Sequence, residues 1–448
     1  MKKNIIILMM ILISINIFAL ELSLDQAKKM ALNNNNSLLS AKENLKSSTI
    51  SKEKAYLNLL PSASVSGNVS NSDPKPIMPG VNSDDLQDRN ISVNATITQP
   101  IFNGGKIWLG AKIQSDAEKI SKQQLKLKRQ SLLNDVESKY YKCLELLSKK
   151  ENAKLDLESS AKHLEISKLK FERSIISKAD YLKAQTAKAN KNIVFIQLTN
   201  AYNLSVLDLQ NSIGTYQDIT LKKINLEEVK SGIAKYSQIM SNENIHRQLL
   251  NIAEKYNPNF KISILNKEIQ KKSLLMSYGN FLPNLNLSYS KNWTESIDPD
   301  DSYSKSSTIA LSSSIPIFPI FDNGLGVKDS KHKLKKSEYD LKNFQSQLNL
   351  GIQSSLQNLY LAAKTIESSS LAKDLASETY KQMETRYQND LVSLTDLMDT
   401  QVMYFNALNQ YTNSIYSFLE AKNNLKFQVG VENFTKISKI LFKKTEGK

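Results

Sequence analysis

The sequence predicts a mainly α-helical chain with a membrane β-barrel portion, built from one long unit repeated in tandem. Three observations carry this. Pro100-Ile101-Phe102 and Pro316-Ile317-Phe318, Asp180 and Asp396, and Gly214 and Gly430 each stand 216 residues apart. The ten prolines cluster at Pro61 to Pro100, at Pro258 and at Pro283 to Pro319, leaving two long stretches with none. Inside the flanking clusters, short segments alternate apolar and polar residues. A repeat constrains the architecture before any residue has a role. A period this long implies two pseudo-equivalent halves rather than a solenoid.

Lys2 and Lys3 precede an uncharged apolar run from Ile5 to Phe18. Such a run has the length of a signal-peptide core and is shorter than the roughly 20 residues of a spanning helix. Cleavage is expected near Ala19, making residues 1–19 a signal peptide. No Cys follows the run, which excludes a lipid attached to an N-terminal cysteine. The mature chain then divides into a first repeat at 20–214, a linker at 215–245, a second repeat at 246–430 and a tail at 431–448.

Nothing in the proline-free stretches forbids continuous helix, and their Lys-, Leu-, Gln-, Ala-, Glu- and Ser-rich composition suits long helices or coiled coil. Leu408, Tyr411, Ile415, Phe418, Leu425 and Val429 follow three- and four-residue spacings, an a/d seam interrupted by Lys422. The first half offers Phe195, Tyr202, Val206, Leu209 and Ile213 on the same seam, so the halves are expected to pack alike. Each stretch breaks once, at 171–180 and at 387–396. Ser177 or Asp180, and Ser393 or Asp396, are the residues able to cap the helix that restarts. The outgoing leg, Gly105 to about Ser174, makes a rod on the order of 100 Å. The return leg is half as long, and a helix from Ser23 to Asn58 stacked on its end would complete it.

The alternating segments have a period of two. Ala63, Val65, Gly67 and Val69 alternate with Ser and Asn, and Ile91, Val93, Ala95 and Ile97 with Ser92, Asn94, Thr96 and Thr98. The second half repeats this with Leu285, Leu287 and Tyr289, then Ile309, Leu311 and Ile315. That is the pattern of a membrane β-strand with one face to lipid and the other to a wet lumen. Polar loops at 71–90 and 294–306 join the strands in pairs. Four strands cannot close a barrel, and an open edge in lipid leaves backbone groups unpaired. Three copies supply twelve strands, so a homotrimer is expected. Trp293, Tyr289, Phe102, Phe281 and Phe318 are placed at strand ends, where an interfacial aromatic girdle or plain packing at helix–strand joints accounts for them.

Composition excludes several functions. The histidines His163, His246 and His332 are far apart, Cys143 is the only thiol, and no metal or nucleophile constellation emerges. The chain reads as no enzyme and needs no cofactor. Gly324-Leu325-Gly326 reads as a turn leading into a helix. The net charge of +15 comes from lysines spread along helices among Glu and Asp, which does not describe a nucleic-acid surface.

The duplication, the Leu-Pro before the first strand of each half, the Pro-Ile-Phe-Asn-Gly-Gly and Phe-Asp-Asn-Gly junctions, and the aromatic-x-x-x-(Leu/Ile)-x-x-x-x-Asp helix turns together resemble the TolC-like outer membrane efflux protein family. The resemblance covers nearly all of the mature chain. It implies a trimeric 12-stranded outer membrane barrel continuous with a long periplasmic α-helical barrel. The partners it implies are a periplasmic adaptor protein, an inner membrane pump of RND or ABC type, and outer membrane lipid. The implied function is an efflux duct for small molecules or proteins, in drug efflux or type I secretion. An exported coiled-coil scaffold or a passive porin are the alternatives.

By the same resemblance, Asp396 and Asp399 fall on constriction-lining aspartates of the periplasmic gate, and Tyr387 and Asp180 on its closing hydrogen-bond network. Residues three apart share a helix face, so threefold symmetry would gather six carboxylates around one axis. Helix capping is the other role open to the two aspartates. Val392 stands where the family has a latch arginine and Asp390 where it has glycine, so a different or weaker latch is expected, with Arg386 and Arg173 as the residues able to replace it.

Overall fold

The computed structural model describes residues 20–71, 89–224, 233, 236, 243–296, 303–315 and 320–441. The expected signal peptide, most of the linker and of both strand-connecting loops, the Pro316-Ile317-Phe318 motif and the end of the tail lie outside them. Two compact units result, each drawing on both halves of the sequence: Met1–Ser40 with Lys126–Asn257 and Gln347–Lys448, and Ala41–Leu125 with Pro258–Ser346.

In chain order the elements are β1 (Leu20–Leu22), α1 (Leu24–Asn34), α2 (Asn36–Leu57), β2 (Ser62–Asn71), β3 (Arg89–Asn103), α3 (Lys106–Glu172), α4 (Lys178–Ile213) and β4 (Ile219–Leu221). Then follow α5 (Glu243–Tyr256), α6 (Pro258–Tyr278), β5 (Asn284–Ser296), β6 (Tyr303–Ser314), α7 (Ile320–Gln388), α8 (Leu394–Val429) and α9 (Thr435–Leu441). The outgoing helices run 67 and 69 residues and the return helices 36 each, as the absence of proline allows. Gly324 and Gly326 lie inside α7 rather than in a turn before it.

The first unit is helical apart from β1 and β4, which pair in parallel. The Tyr140 hydroxyl lies 3.0 Å from the Leu22 carbonyl and 2.7 Å from that of Lys222, tying this pair to α3. Glu137 on α3 meets Lys28 of α1 at 2.6 Å and Lys426 of α8 at 2.5 Å. Burial pushes its carboxyl up, but Lys426 and Lys28 more than offset this and hold it below the usual range.

The single helix expected from Ser23 to Asn58 is two helices broken at Asn35. The Asn35 Oδ1 accepts from the N–H groups of Ser37 and Leu38, capping α2, while its Nδ2 donates to the Ser212 carbonyl at 3.0 Å. In the second half Asn257 donates from Nδ2 to the Gln428 carbonyl, also at 3.0 Å. Ser212 and Gln428 each stand two residues before a left-handed glycine, Gly214 (φ 69°) and Gly430 (φ 77°). A Cβ on Gly214 would approach Asn34 to 2.8 Å and one on Gly430 would approach Asn257 to 2.5 Å. Only glycine permits both the backbone angle and the closeness. Pro258 advertises the second joint; the first has no proline and hides it.

The second unit carries one antiparallel sheet in the order β2-β3-β5-β6, with β2 and β6 as open edges. Pro100 lies in the central strand β3, where its missing N–H would break a ladder. The register slips there, between Pro100 and Phe102, in a bulge that absorbs it. Below the sheet, Lys119 and Lys272 each reach the buried Asp116 at 2.7 Å, joining α3 to α6.

Candidate functional site

Two places in the molecule are candidates, the sheet and the helix turns. In the sheet, the register puts Ala63, Val65 and Val69 beside Ile97, Ala95 and Ile91, and Leu287 and Tyr289 beside Leu311 and Ile309. These side chains are left uncovered by the described residues: Val65 is 76% and Ile309 75% exposed. On the opposite face, every position from Ser62 to Ser70, Asn90 to Thr98, Asn284 to Thr294 and Ser304 to Ser314 is Ser, Thr or Asn, apart from Ala310. Neighbouring side chains there bond one another, as Asn292 does to Thr294 at 3.0 Å. An apolar face left bare, backed by a hydroxyl and amide face, is the signature of a sheet between lipid and water. Tyr289 corrects the expected girdle. It lies mid-strand, between Ile97 and Ile309.

At the other candidate, α3 turns into α4 and α7 into α8. Both turns close with a non-glycine residue in the left-handed region, Ser174 (φ 61°) and Asp390 (φ 60°), at equivalent places in the two halves. The N–H three residues after each outgoing helix reaches back five residues, Ile175 to the Lys170 carbonyl and Leu391 to that of Arg386. This is the Schellman arrangement. Ser177 and Ser393 are the N-caps, accepting from the N–H groups of Asp180 and Asp396. Each hydroxyl also donates to the aspartate, at 2.7 Å and 2.6 Å.

Of the residues singled out from sequence, Asp180 and Asp396 thus occupy matching capping positions, and Asp399 is exposed one turn further along α8. Tyr387 is 2% exposed and packs with Tyr380, Leu394, Leu397 and Ala184, and with partly buried Val392. Its hydroxyl lies 3.1 Å from Ser167 Oγ. Tyr387 and Asp180 are therefore not joined to each other within one chain. Lys170 is the cation that crosses this turn within the chain: its ammonium donates to the Tyr387 carbonyl at 2.7 Å, pairs with Asp390 at 2.5 Å and lies 4.0 Å over the Tyr387 ring. The signal was present in the repeat, since Lys170 is the first-half counterpart of Arg386. An ion pair across the turn also explains how aspartate is tolerated in a backbone conformation that favours glycine.

Behind the turns, His163 is 3% exposed, with Nε2 2.9 Å from the Tyr380 hydroxyl and Nδ1 without a partner among the described residues. Burial, helped by Lys162, pushes its pKa down to about 4. Tyr380 in turn stacks on Tyr404 and meets Phe405 edge-on. His163 carried no distinguishing mark in the sequence.

No helix among the described residues is long and apolar enough to cross a membrane. Long helical hairpins with such a sheet define a class, the outer membrane channels. The structure matches the CmeC outer membrane channel of Campylobacter jejuni with a TM-score of 0.79, covering 94% of this chain and 89% of that one at 16% identity. It matches CusC with a TM-score of 0.79, covering 92% and 93% at 12% identity. In sequence the chain is 23% identical over 367 residues to outer membrane protein TolC of Salmonella enteritidis, covering 79% of this chain and 71% of that protein. The profile of the outer membrane efflux protein family matches residues 28–215 and 253–431. The chain belongs to the outer membrane efflux protein family.

Proposed function

We propose that three copies of this chain form an efflux duct in the outer membrane, their sheets closing a twelve-stranded barrel and their long helices forming a periplasmic α-helical barrel. The observation that carries this reading is the four-stranded sheet. It has two open edges, a bare apolar face and a face of Ser, Thr and Asn, and in lipid it satisfies its backbone only by closing against other copies. An inner membrane pump and a periplasmic adaptor supply the substrate. Purified in detergent, the mature chain runs as a trimer. A stable monomer that stays in water without detergent would sink the reading.

The gate of this duct is formed by the α7–α8 turn. Asp396 and Asp399 of three copies line its mouth, and capping by Ser393 leaves the Asp396 carboxylate exposed. Such a ring attracts cations and binds multivalent ones. In planar bilayers, Asp396→Ala with Asp399→Ala weakens cation selectivity and multivalent block while trimers still form. Tyr387→Phe loosens the turn instead, raising conductance with selectivity kept. Wild-type selectivity in the double variant would reduce both aspartates to helix caps.

A further inference from the structure

The lipid-side face of the sheet is not apolar throughout. Towards the loop ends of β5 and β6 it carries Lys291, Trp293 and Lys305. Lys291 sits between Ala95 and Ser307, two small neighbours, and Lys305 directly opposite Trp293. The Lys291 ammonium lies 5.3 Å from the Trp293 ring centre. Neither lysine forms an ion pair among the described residues, and Glu295, the nearest carboxylate on this face, is one step further towards the loop.

A lysine on a lipid-facing strand is costly at the bilayer midplane and close to neutral near the interface. Two lysines flanking a tryptophan therefore mark the headgroup level, with their stems snorkelling along the sheet. Diagonal neighbours on adjacent strands stand about 7–8 Å apart, within reach of two flexible ammoniums closing on one phosphate. On the same face, on the side away from the loops, Tyr289, Ile309, Leu311 and Leu287 are exposed at 41, 75, 70 and 41%. Cations above an open apolar strip are complementary to an amphiphile with an anionic head and acyl tails.

We infer that Lys291, Trp293 and Lys305 form a binding site for a phosphorylated lipid of the outer leaflet, the phosphate held by the two ammoniums and the acyl chains lying on the strip below. The inference rests on the reading of the sheet as a membrane barrel with its loops outward. Trp293 is one of two tryptophans, so a Trp108→Phe background isolates its fluorescence. In the purified detergent-solubilised trimer, bisphosphorylated lipid A shifts the Trp293 emission saturably. Lys291→Ala with Lys305→Ala moves the midpoint at least about tenfold higher, and the double Lys→Arg variant stays within about twofold of wild type. Phosphatidylcholine gives no saturable shift, and millimolar inorganic phosphate does not displace lipid A. Equal midpoints for wild type and the alanine variant, or displacement by phosphate alone, overturn the site. A Trp293 in vesicles as open to iodide quenching as free tryptophan would instead mean that the sheet is not in lipid, and would count against the barrel itself.

Discussion

The return helices α4 and α8 share a length of 36 residues, a serine N-cap and a left-handed glycine at the end. They differ in what covers them. α8 buries its seam from Leu394 to Val429, bonding α3 through Asn152–Asn409 and Gln401–Asp156 and α7 through Ser369–Ser414. α4 buries only Ala184 and the segment near Ile213, and leaves Leu182, Ile193, Val194, Ile196, Leu204 and Leu207 exposed. The expectation that the two halves pack alike thus fails within one chain. On the far flank, α7 exposes Leu350, Leu361, Leu371 and Leu375. Apolar faces on two different helices are what a head-to-tail ring of copies requires, since such interfaces join unlike surfaces. The duplicated sequence is alike; its two copies occupy unlike places, one covered within the chain and one left exposed.

The largest test of this difference is Phe418→Ala, which removes a 3%-exposed ring from α8 and is expected to cost about 3–5 kcal/mol in denaturant unfolding. Ile196→Ala on α4 changes the isolated chain by under about 0.5 kcal/mol and lowers instead the trimer fraction in sedimentation. Should Ile196→Ala leave trimers intact, the uncovered face of α4 is not an interface.

Acid sharpens the contrast, because the buried His163 of α3 bonds Tyr380 of α7, which stacks on Tyr404 of α8. The folded chain keeps His163 neutral down to about 4, whereas the unfolded chain takes up the proton near 6.5. A depressed histidine pKa contributes stability above the unfolded value that is lost as pH falls, here between about 6.5 and 4, by at most roughly 3 kcal/mol. His163→Gln therefore flattens the decline of melting temperature over that window. Lys162 and Glu384 flank the site, and an unchanged slope in the variant would mean that His163 does not carry the acid sensitivity.

The smallest effect compares the turns. Ser174→Gly relieves left-handed strain and stabilises by about 0.5–1 kcal/mol, read as a rise in melting temperature. Asp390→Gly relieves the same strain but strips Lys170 of its ion pair, so it yields no gain. A gain equal to that of Ser174→Gly would show that the ion pair contributes nothing.

What the sequence determined alone was local and periodic: the halves, the helix lengths allowed by missing prolines, the strand faces, and the Ser or Asp residues able to cap each restarted helix. Each depends on neighbours within a few residues, through backbone sterics, capping and side-chain alternation. Tertiary structure decided the rest. Asn35 breaks a helix that local propensity would continue, because its amide finds the Ser212 carbonyl 177 positions away. Lys170 bonds across the turn, because there the ammonium meets the Tyr387 carbonyl and the Asp390 carboxylate, more than 200 residues on. His163 becomes a buried neutral imidazole only under Tyr380, which stands 217 residues on. Equal seams acquire unequal burial for the same reason: burial is a property of what packs against a helix, and a period in the sequence records only that a face is available to be covered.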